Sequence, residues 1–233
     1  MKKAGSILRW GLGGCFFLFS FCLLAVCLFT LSKTRTFAVA RRLFTVQIRI
    51  MGIKLIVKGR DHIVPGQTYL MMGNHQSLFD LFVIPAAIPL CFTGVEAAYH
   101  FSLPVWGYLI RKWGCIPIER GNLKNAIQSL ERARQTIASG MNLCILPEGH
   151  RTLTGEMRPF KKGPFHLAKA AGADLLLFGV NGLFDFHPKG RLELKPGKVV
   201  VAIGEPIPFA RIKDMAVEDI RALCFSTIKR LSK

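Results

Sequence analysis

The chain has 233 residues, which is enough for one sizeable α/β domain with an appendage but too few for two full domains. Hydrophobic residues make up 51% and the mean hydropathy is +0.34, so the composition excludes a disordered protein and indicates that some apolar surface lies in lipid. Lys and Arg number 32 against 14 Asp and Glu, a formal net charge of +18. We therefore expect an anionic partner, which would be nucleic acid, a phospholipid surface, or an acidic substrate or carrier.

The first predicted element is a membrane helix over residues 10–31. Eleven basic residues and no acidic residue precede Asp61, and the bases flank an uncharged stretch of 22 residues from Trp10 to Leu31. As a helix, at ~1.5 Å per residue, this stretch would span a hydrocarbon core of ~30 Å. A cleaved signal peptide ending near Ala40 is the alternative, but its apolar run would normally be only ~7–15 residues long. A slight excess of bases after the helix places the rest of the chain in the cytoplasm.

The second predicted element is a basic amphipathic helix over residues 35–51. Arginines recur every seven residues on one side and apolar side chains line the other, namely Arg35, Arg42 and Arg49 against Phe37, Ala40, Phe44, Ile48 and Met51. Such a helix can lie in the membrane interface with its arginines on lipid phosphates. The alternatives are a helix docked on the domain and a strand, because residues 44–50 also alternate. We assign residues 1–52 to an N-terminal membrane anchor and residues 53–233 to an α/β domain.

The remainder of the chain has the pattern of an α/β domain. From residue 53 onward, short apolar runs bounded by Gly, Pro and Asn alternate with helical patterns, which predicts a sheet at the centre of the domain. We expect strands at residues 53–57, 69–72, 115–118, 142–146, 175–180 and 191–203, the last as one strand or two. We expect helices from residue 78, from about residue 104, over 123–139 and over about 217–231.

The block from Asn74 to Asp80 follows one predicted strand and opens a predicted helix, a position where ligand sites of α/β proteins tend to form. If Ser77 caps the helix, a reversal of the chain can bring the Asp80 carboxylate to the His75 imidazole. A His held by a carboxylate has a fixed tautomer and a free nitrogen that can act as a general base. The structural alternative is that Ser77 and Asp80 form only a helix cap.

Two further blocks carry cations at the ends of predicted strands. Residues 114–122 include Arg120, whose guanidinium suits phosphate but which in isolation is more often a surface ion-pair residue. Residues 146–152 form a turn that offers backbone N–H groups to anions, although Pro-Glu-Gly alone is only a turn signal. The candidate residues of this turn, with a lysine that follows it, are Glu148, Gly149, Arg151 and Lys161.

Taken together, these blocks resemble the 1-acylglycerol-3-phosphate acyltransferase family, within the glycerolipid acyltransferases that are marked by a His, four residues and an Asp. The matching segments are Asn74-His75 to Asp80, Gly114 to Gly121, Pro147-Glu148-Gly149 with Arg151, and Phe160 to Gly163. The resemblance covers residues 55–205 and implies a central mixed sheet flanked by helices, preceded by an N-terminal helical membrane motif. The chain departs from the family pattern at His150, at Pro117 and in residues 175–180, which bears on acceptor and acyl-chain preference.

The resemblance also implies roles for individual residues. It makes His75 the general base on the acceptor hydroxyl and Asp80 the group that orients it. The implied substrate-binding residues are Arg120, Glu148, Gly149, Arg151, Asn74, Gly121 and Lys161. The implied reaction moves a fatty acyl group from acyl-CoA or acyl carrier protein to the sn-2 hydroxyl of lysophosphatidate, giving phosphatidate without a covalent acyl-enzyme.

No cofactor or metal is expected, because the sequence lacks a Walker loop, Gly-x-Gly-x-x-Gly and His-Glu-x-x-His, and its seven cysteines have no Cys-x-x-Cys pairing. Two other functions stay open. One is an acyltransferase for another lysolipid, such as a lyso-ornithine lipid or a lysophospholipid with a head group. The other is a non-enzymatic basic membrane protein that binds anionic lipid or nucleic acid. Nucleic acid is not an expected partner, since aromatic and basic residues are not interleaved in the pattern of a single-strand groove.

Overall fold

The computed structural model describes residues 2–119 and 123–233, so Arg120 and Gly121 of the second block lie outside the described residues. Within these ranges the helices are α1 (Lys2–Thr30), α2 (Lys33–Met51), α3 (Asp80–Ala87), α4 (Trp106–Trp113), α5 (Leu123–Ala138), α6 (Gly163–Ala171), α7 (Leu183–Phe186), α8 (Phe209–Ile212) and α9 (Val217–Leu231). The strands are β1 (Ile53–Lys58), β2 (Tyr69–Gly73), β3 (Phe92–Ala97), β4 (Ile116–Ile118), β5 (Asn142–Ile145), β6 (Asp174–Asn181) and β7 (Gly197–Ile203).

The strands form one mixed sheet in the order β1-β7-β6-β2-β5-β3-β4. Strands β2 to β6 all run in the same direction, while β7 is antiparallel to β6 and parallel to β1. The carboxyl ends of β2, β3, β4, β5 and β6 therefore meet at one edge of the sheet, which we call the C-terminal edge. Ligand sites of α/β proteins form at this edge. The predicted α/β fold class, with a mixed sheet flanked by helices, is confirmed.

The central strands are buried on both faces. In β2, Tyr69 and Met71 face the helical layer that contains α2 and α3, while Leu70 and Met72 face the layer of α5, α6 and α9. All four side chains are fully buried. A parallel strand with helices on both faces needs apolar side chains in both directions, which explains why this run has no polar alternation.

Most predicted elements are present, and hydrogen bonds to other parts of the chain explain the differences. The segment predicted as a strand over 191–203 contains only β7, because the chain before it bonds elsewhere: Leu194 N donates to Ser6 Oγ and Lys195 N donates to the Phe186 carbonyl. Strand β3 was not predicted, since Gly94 and Glu96 interrupt its apolar pattern. Its pairing with β5 and β4 supplies the hydrogen bonds that hold it extended.

Helices α1 and α2 form a hairpin that packs on the domain. Ser32 begins α2 as its N-cap, where its hydroxyl accepts a hydrogen bond from Arg35 N. Along the hairpin, Gln47 Nε2 donates to the Gly13 carbonyl at 3.1 Å and is buried there. Thr36 Oγ1 also donates to the Cys27 carbonyl at 3.1 Å, so buried polar contacts tie the two helices together.

The apolar side of α2 faces the domain, which corrects its expected insertion into lipid. Ile48 and Met51 are fully buried in the core shared with α3 and the sheet, and the Phe44 ring lies 5.3 Å from the Phe82 ring. Of the predicted alternatives, the structure contains the docked helix. The three arginines that recur every seven residues remain exposed, namely Arg35, Arg42 and Arg49. An apolar stripe on a helix can pack on a sheet or insert into a bilayer, so the periodicity of the sequence does not decide between these two positions.

Within the described residues, Lys3–Thr30 is the one helix long and apolar enough to cross a membrane by length and composition. Its two ends both contact the domain. Near the N-terminal end, Trp10 Nε1 donates to the Leu192 carbonyl at 2.7 Å. Near the other end, the Phe29 ring stacks on Tyr108 of α4 with 6.2 Å between ring centroids. The α1 helix thus lies along the domain rather than projecting from it.

Candidate active site

His75 and Asp80 lie where β2 ends and α3 begins, at the C-terminal edge of the sheet. The Nδ1 atom of His75 is 2.6 Å from Oδ2 of Asp80. The Asp80 side chain is only 3% exposed, whereas the His75 side chain is 24% exposed. Because a carboxylate can only accept hydrogen bonds, Nδ1 of His75 carries the proton and Nε2 of the neutral ring is left with a free lone pair.

The Asp80 carboxylate also closes the loop that carries His75. Its Oδ2 atom accepts hydrogen bonds from the backbone N–H groups of Gln76 and Ser77, each at 2.9 Å. The sequence left open whether Asp80 pairs with His75 or caps the start of the helix. Its Oδ2 atom does both. The other oxygen, Oδ1, is buried and has no hydrogen-bond partner in the described part of the chain.

The backbone of His75 is held on both sides by the turn after β5. Glu148, which is buried, accepts a hydrogen bond from His75 N at Oε1 and another from Arg158 N at Oε2, both at 2.7 Å. Thr152 N donates to the His75 carbonyl at 2.9 Å. Burial raises the pKa of the Glu148 carboxyl, while the two amide donors lower it. Both oxygens of Glu148 therefore accept hydrogen bonds from backbone N–H groups, whereas the sequence predicted that Glu148 binds substrate.

The polar residues around His75 tie the same loop to β6 and to the segment after it. Asn74 exchanges two hydrogen bonds with the Val180 backbone, at 2.8 and 2.7 Å. The Gln76 side-chain oxygen accepts from Leu183 N, and the Ser77 hydroxyl donates to the His187 carbonyl at 2.9 Å. Asn74 was expected among the substrate-binding residues, and its side chain is buried against the sheet. Of residues 74–77, only His75 reaches solvent.

Of the expected anion-binding residues, Gly149 and Arg151 lie on the turn after β5, and Lys161 lies on the segment before α6 that bonds to this turn. Gly149 has φ = +71°, a conformation that favours glycine, and a Cβ there would lie 3.8 Å from Cγ of Lys161. Lys161 N donates to the Pro147 carbonyl at 2.8 Å, which places the exposed lysine over the turn. Arg151 belongs to the same turn and is half-buried. Arg120, the remaining cation of the expected set, lies outside the described residues, as does Gly121.

Sequence reasoning missed two residues that shape this site. Thr152 is buried and holds the His75 carbonyl, and its hydroxyl organises the following turn by donating to the Glu156 carbonyl at 2.6 Å. His187 is buried beside Ser77, and burial together with the charge of Arg151 lowers the pKa of its imidazole. Thr152 ends the block of residues 146–152 but was not singled out within it, and His187 stands in no motif with recognisable spacing.

The arrangement can perform two chemical tasks. A neutral imidazole that is fixed by a buried carboxylate and open to solvent can remove a proton from a hydroxyl group. The cations Arg151 and Lys161, beside a glycine turn, can hold an anionic group close to that hydroxyl. Within residues 2–119 and 123–233, no group of three or more His, Cys, Asp and Glu side chains could hold a metal ion.

A sequence model of the acyltransferase family matches residues 54–180, which is more than half of the chain and includes all four of the blocks described above. The chain therefore belongs to the acyltransferase family. The matched range runs from β1 to β6 and so contains the His75–Asp80 dyad, the Glu148 turn, and the cations Arg151 and Lys161.

Individual relatives agree with this assignment. A 1-acyl-sn-glycerol-3-phosphate acyltransferase of Chlamydomonas reinhardtii is 26% identical over 158 residues, which is 67% of this chain and 47% of that protein. The 1-acyl-sn-glycerol-3-phosphate acyltransferase alpha of Ovis aries is 30% identical over 160 residues, 66% of this chain and 53% of that protein. The chain thus spans about half the length of the curated relatives that it matches.

A solved structure shares the fold over almost the whole chain. The crystal structure of the 1-acyl-sn-glycerophosphate (LPA) acyltransferase PlsC from Thermotoga maritima superposes with a TM-score of 0.81, covering 98% of this chain and 94% of that one. Sequence identity is 20%, so this likeness concerns the fold. Because the coverage extends to nearly all residues, it includes the helical hairpin as well as the sheet.

Proposed function

We propose that this protein transfers a fatty acyl group from a thioester donor, acyl-CoA or acyl carrier protein, to the sn-2 hydroxyl of lysophosphatidate, giving phosphatidate. The observation that carries the proposal is the 2.6 Å contact between His75 Nδ1 and Asp80 Oδ2 beneath an accessible imidazole face. Membership of the acyltransferase family and the names of the relatives support it.

In the proposed reaction, Nε2 of His75 accepts the proton of the acceptor hydroxyl as its oxygen bonds to the thioester carbonyl carbon. The buried Asp80 carboxylate stabilises the imidazolium that forms. When the tetrahedral intermediate collapses, the carbon–sulfur bond breaks and the imidazolium returns its proton to the departing thiolate. Glu148 and Thr152 keep His75 in place throughout, because they bind its backbone and leave its ring free.

The acceptor phosphate is proposed to bind to Arg151, Lys161 and Arg120. Replacement of Arg151 by alanine should raise the acceptor KM by roughly 10- to 100-fold with little change in kcat, because a charge-assisted hydrogen bond contributes ~1.5–3 kcal/mol. Arg120→Ala should act in the same direction. The measurement is initial rate against acceptor concentration. Arg134→Ala is the matched control, since Arg134 is an exposed arginine of α5 that pairs with Glu131. An unchanged KM in the Arg151 and Arg120 variants would return both residues to a structural role.

The proposed location is the membrane, with residues 1–52 as the anchor, residues 53–233 as the catalytic domain, and the domain on the cytoplasmic face. Ser6 and Phe29 both contact the domain, at opposite ends of α1 and ~35 Å apart along it at ~1.5 Å per residue. A helix that crossed a ~30 Å hydrocarbon core would place its ends on opposite sides. The contacts therefore favour insertion of α1 from one side, and the exposed arginines of α2 suit an anionic membrane surface.

The test of the proposed function is transfer of a labelled acyl group by membranes that contain the full chain. Acyl-CoA and acyl carrier protein are compared as donors, and lysophosphatidate, glycerol 3-phosphate, lysophosphatidylethanolamine, lysophosphatidylglycerol and lyso-ornithine lipid as acceptors. We expect product from lysophosphatidate. Product from another lysolipid alone would keep the chemistry and replace the acceptor, and no product from any pair would contradict the proposal.

A further inference from the structure

We propose that the turn leading into α4, residues 103–108 and here called the α4 turn, inserts into the phospholipid bilayer beside α1 as a second membrane-contact element. The inference rests on the membrane association proposed for α1. It adds a loop of the catalytic domain to the membrane-contact surface, and so fixes how the domain is oriented on the bilayer.

The α4 turn exposes an unusual concentration of apolar side chains. Leu103, Val105 and Tyr108 are 46%, 61% and 54% exposed, and Pro104 between them is also exposed. Single exposed apolar residues are common on soluble proteins, but a contiguous set marks a contact with a partner or a membrane.

The turn continues the exposed apolar face of α1. On the side away from the domain, α1 exposes a stripe formed by Leu8, Leu12, Phe19 and Val26. Phe29, at the border of that stripe, stacks on Tyr108, and the neighbouring Phe21 stacks on Trp106 with 6.3 Å between ring centroids. The two surfaces are therefore one continuous apolar area, and lipid that covers the α1 stripe also reaches the α4 turn.

One residue of the α4 turn has a strained backbone conformation. Val105 has φ = 58° and ψ = −56°, a conformation that a β-branched residue rarely adopts, and its side chain points away from the core. The residues that follow are packed against the domain, since a Cβ on Gly107 would lie 2.2 Å from the Phe101 carbonyl oxygen and Leu109 is buried. A strained residue that presents an apolar side chain outward indicates a functional contact.

The side chains of α4 change from apolar to cationic along the helix. Leu103 and Val105 come first, the aromatic rings of Trp106 and Tyr108 follow, and the cations Arg111 and Lys112 end the helix. Aromatic rings favour the interface and lysines extend to the headgroups. Lys112 Nζ lies 3.7 Å from the centroid of the Phe29 ring, so this cation borders the continuous apolar area.

This contact would bring the site to the lipid. β3 ends at the C-terminal edge of the sheet, where His75 lies, and only a short 3₁₀ turn, Ala98–Ser102, separates β3 from the α4 turn. Insertion of the α4 turn therefore faces the C-terminal edge toward the bilayer. A lipid acceptor can then approach His75 from the membrane rather than through water.

The test compares two exposed valines in the full chain. Val105→Asp places a charge in the proposed insertion, while Val64→Asp places the same charge on another valine that is half-exposed, on the loop before β2. Aspartate tolerates the backbone conformation of Val105 better than valine does, so the turn should persist. Val105→Leu keeps an apolar side chain and should behave as the parent chain.

The measurement is the rate at which the protein leaves vesicles of phosphatidylcholine and phosphatidylglycerol for an excess of unlabelled vesicles. Val105→Asp should leave about tenfold faster or more, since the burial of one valine side chain is lost, whereas Val64→Asp should be unchanged. Equal rates for the two variants, with the parent chain bound, would overturn the insertion of the α4 turn and leave the membrane association of α1 standing. A parent chain that does not bind vesicles would overturn the membrane association of α1 as well.

Two further readouts complete the test. Transfer to lysophosphatidate dispersed in detergent should be the same for Val105→Asp and the parent chain, because Val105 is not part of the catalytic machinery. Loss of this activity would show that the substitution disturbs the site and would overturn the assignment. A change confined to the molecular mass of the detergent-solubilised protein would make the turn a contact between copies of this chain, which also contradicts insertion into lipid.

Discussion

Replacement of His75 by alanine is expected to lower kcat for acyl transfer by roughly 10²- to 10⁴-fold, because the reaction loses the group that accepts the proton of the acceptor hydroxyl. The fold should persist. Asp80 keeps its hydrogen bonds from the Gln76 and Ser77 amides, and the backbone at position 75 keeps its bonds to Glu148 and Thr152. The measurements are acyl transfer from acyl-CoA to lysophosphatidate and thermal unfolding of the same preparation.

His166→Ala is the matched control for this variant. His166 lies on α6 with an exposed side chain, so its removal should leave both the rate and the unfolding temperature close to those of the parent chain. A His75→Ala protein that is folded and retains near-normal activity would show that another group removes the proton. The dyad would then be a structural feature of the loop.

Replacement of Asp80 by asparagine is expected to have the second largest effect, again roughly 10²- to 10⁴-fold on kcat. The amide has almost the same shape, but it can present an N–H group to Nδ1 of His75 and so favour the tautomer whose Nε2 is already protonated. It also loses the charge that stabilises the imidazolium. Because Oδ2 is the acceptor for three donors, the variant should lose ~1–3 kcal/mol in its free energy of unfolding as well.

The rate and the stability of the Asp80→Asn variant together separate a role in the reaction from a role in closing the loop. Asp214→Asn removes a carboxylate that is 89% exposed and should change neither the rate nor the stability measurably. If Asp80→Asn lost stability but kept its rate within a few-fold of the parent, the carboxylate would serve only to close the loop. Acceptor KM should stay close to the parent value in either case, since Asp80 is buried and does not reach the acceptor.

The geometry of the dyad could be anticipated from the sequence because all its parts lie within one short segment. A strand, a turn and a helix start leave few ways to place Asp80, and a carboxylate at the first helical turn naturally bonds the preceding N–H groups. The partners of Glu148 could not be anticipated in this way. It contacts a residue 73 positions earlier in the chain, and that contact depends on β2 and β5 being neighbours in the sheet.

The apolar side of α2 shows a different limit. Its residues were identified correctly as one side of a helix, but whether that side faces lipid or protein depends on what else needs to be covered. The sheet beside β1 needs a helical layer, and α2 provides it with Ile48 and Met51. By contrast, the exposed stripe of α1 has no counterpart in the described residues, since α2 and the domain occupy only its other side.

The packing of Trp10 against the loop that carries His75, residues 74–80, has a consequence for protein engineering. The Trp10 ring lies 5.9 Å from Phe79 and 5.6 Å from His187, and both of these residues pack directly beside the Ser77 end of the loop that carries His75. Deleting α1 to obtain a freely soluble enzyme would therefore uncover part of the core that shapes the catalytic loop. A foreign anchor helix grafted in its place would restore lipid affinity but not this packing. The α1 helix and the α/β domain are therefore not exchangeable modules, and a grafted helix would need the same side chains that Trp10 and its neighbours present to the domain.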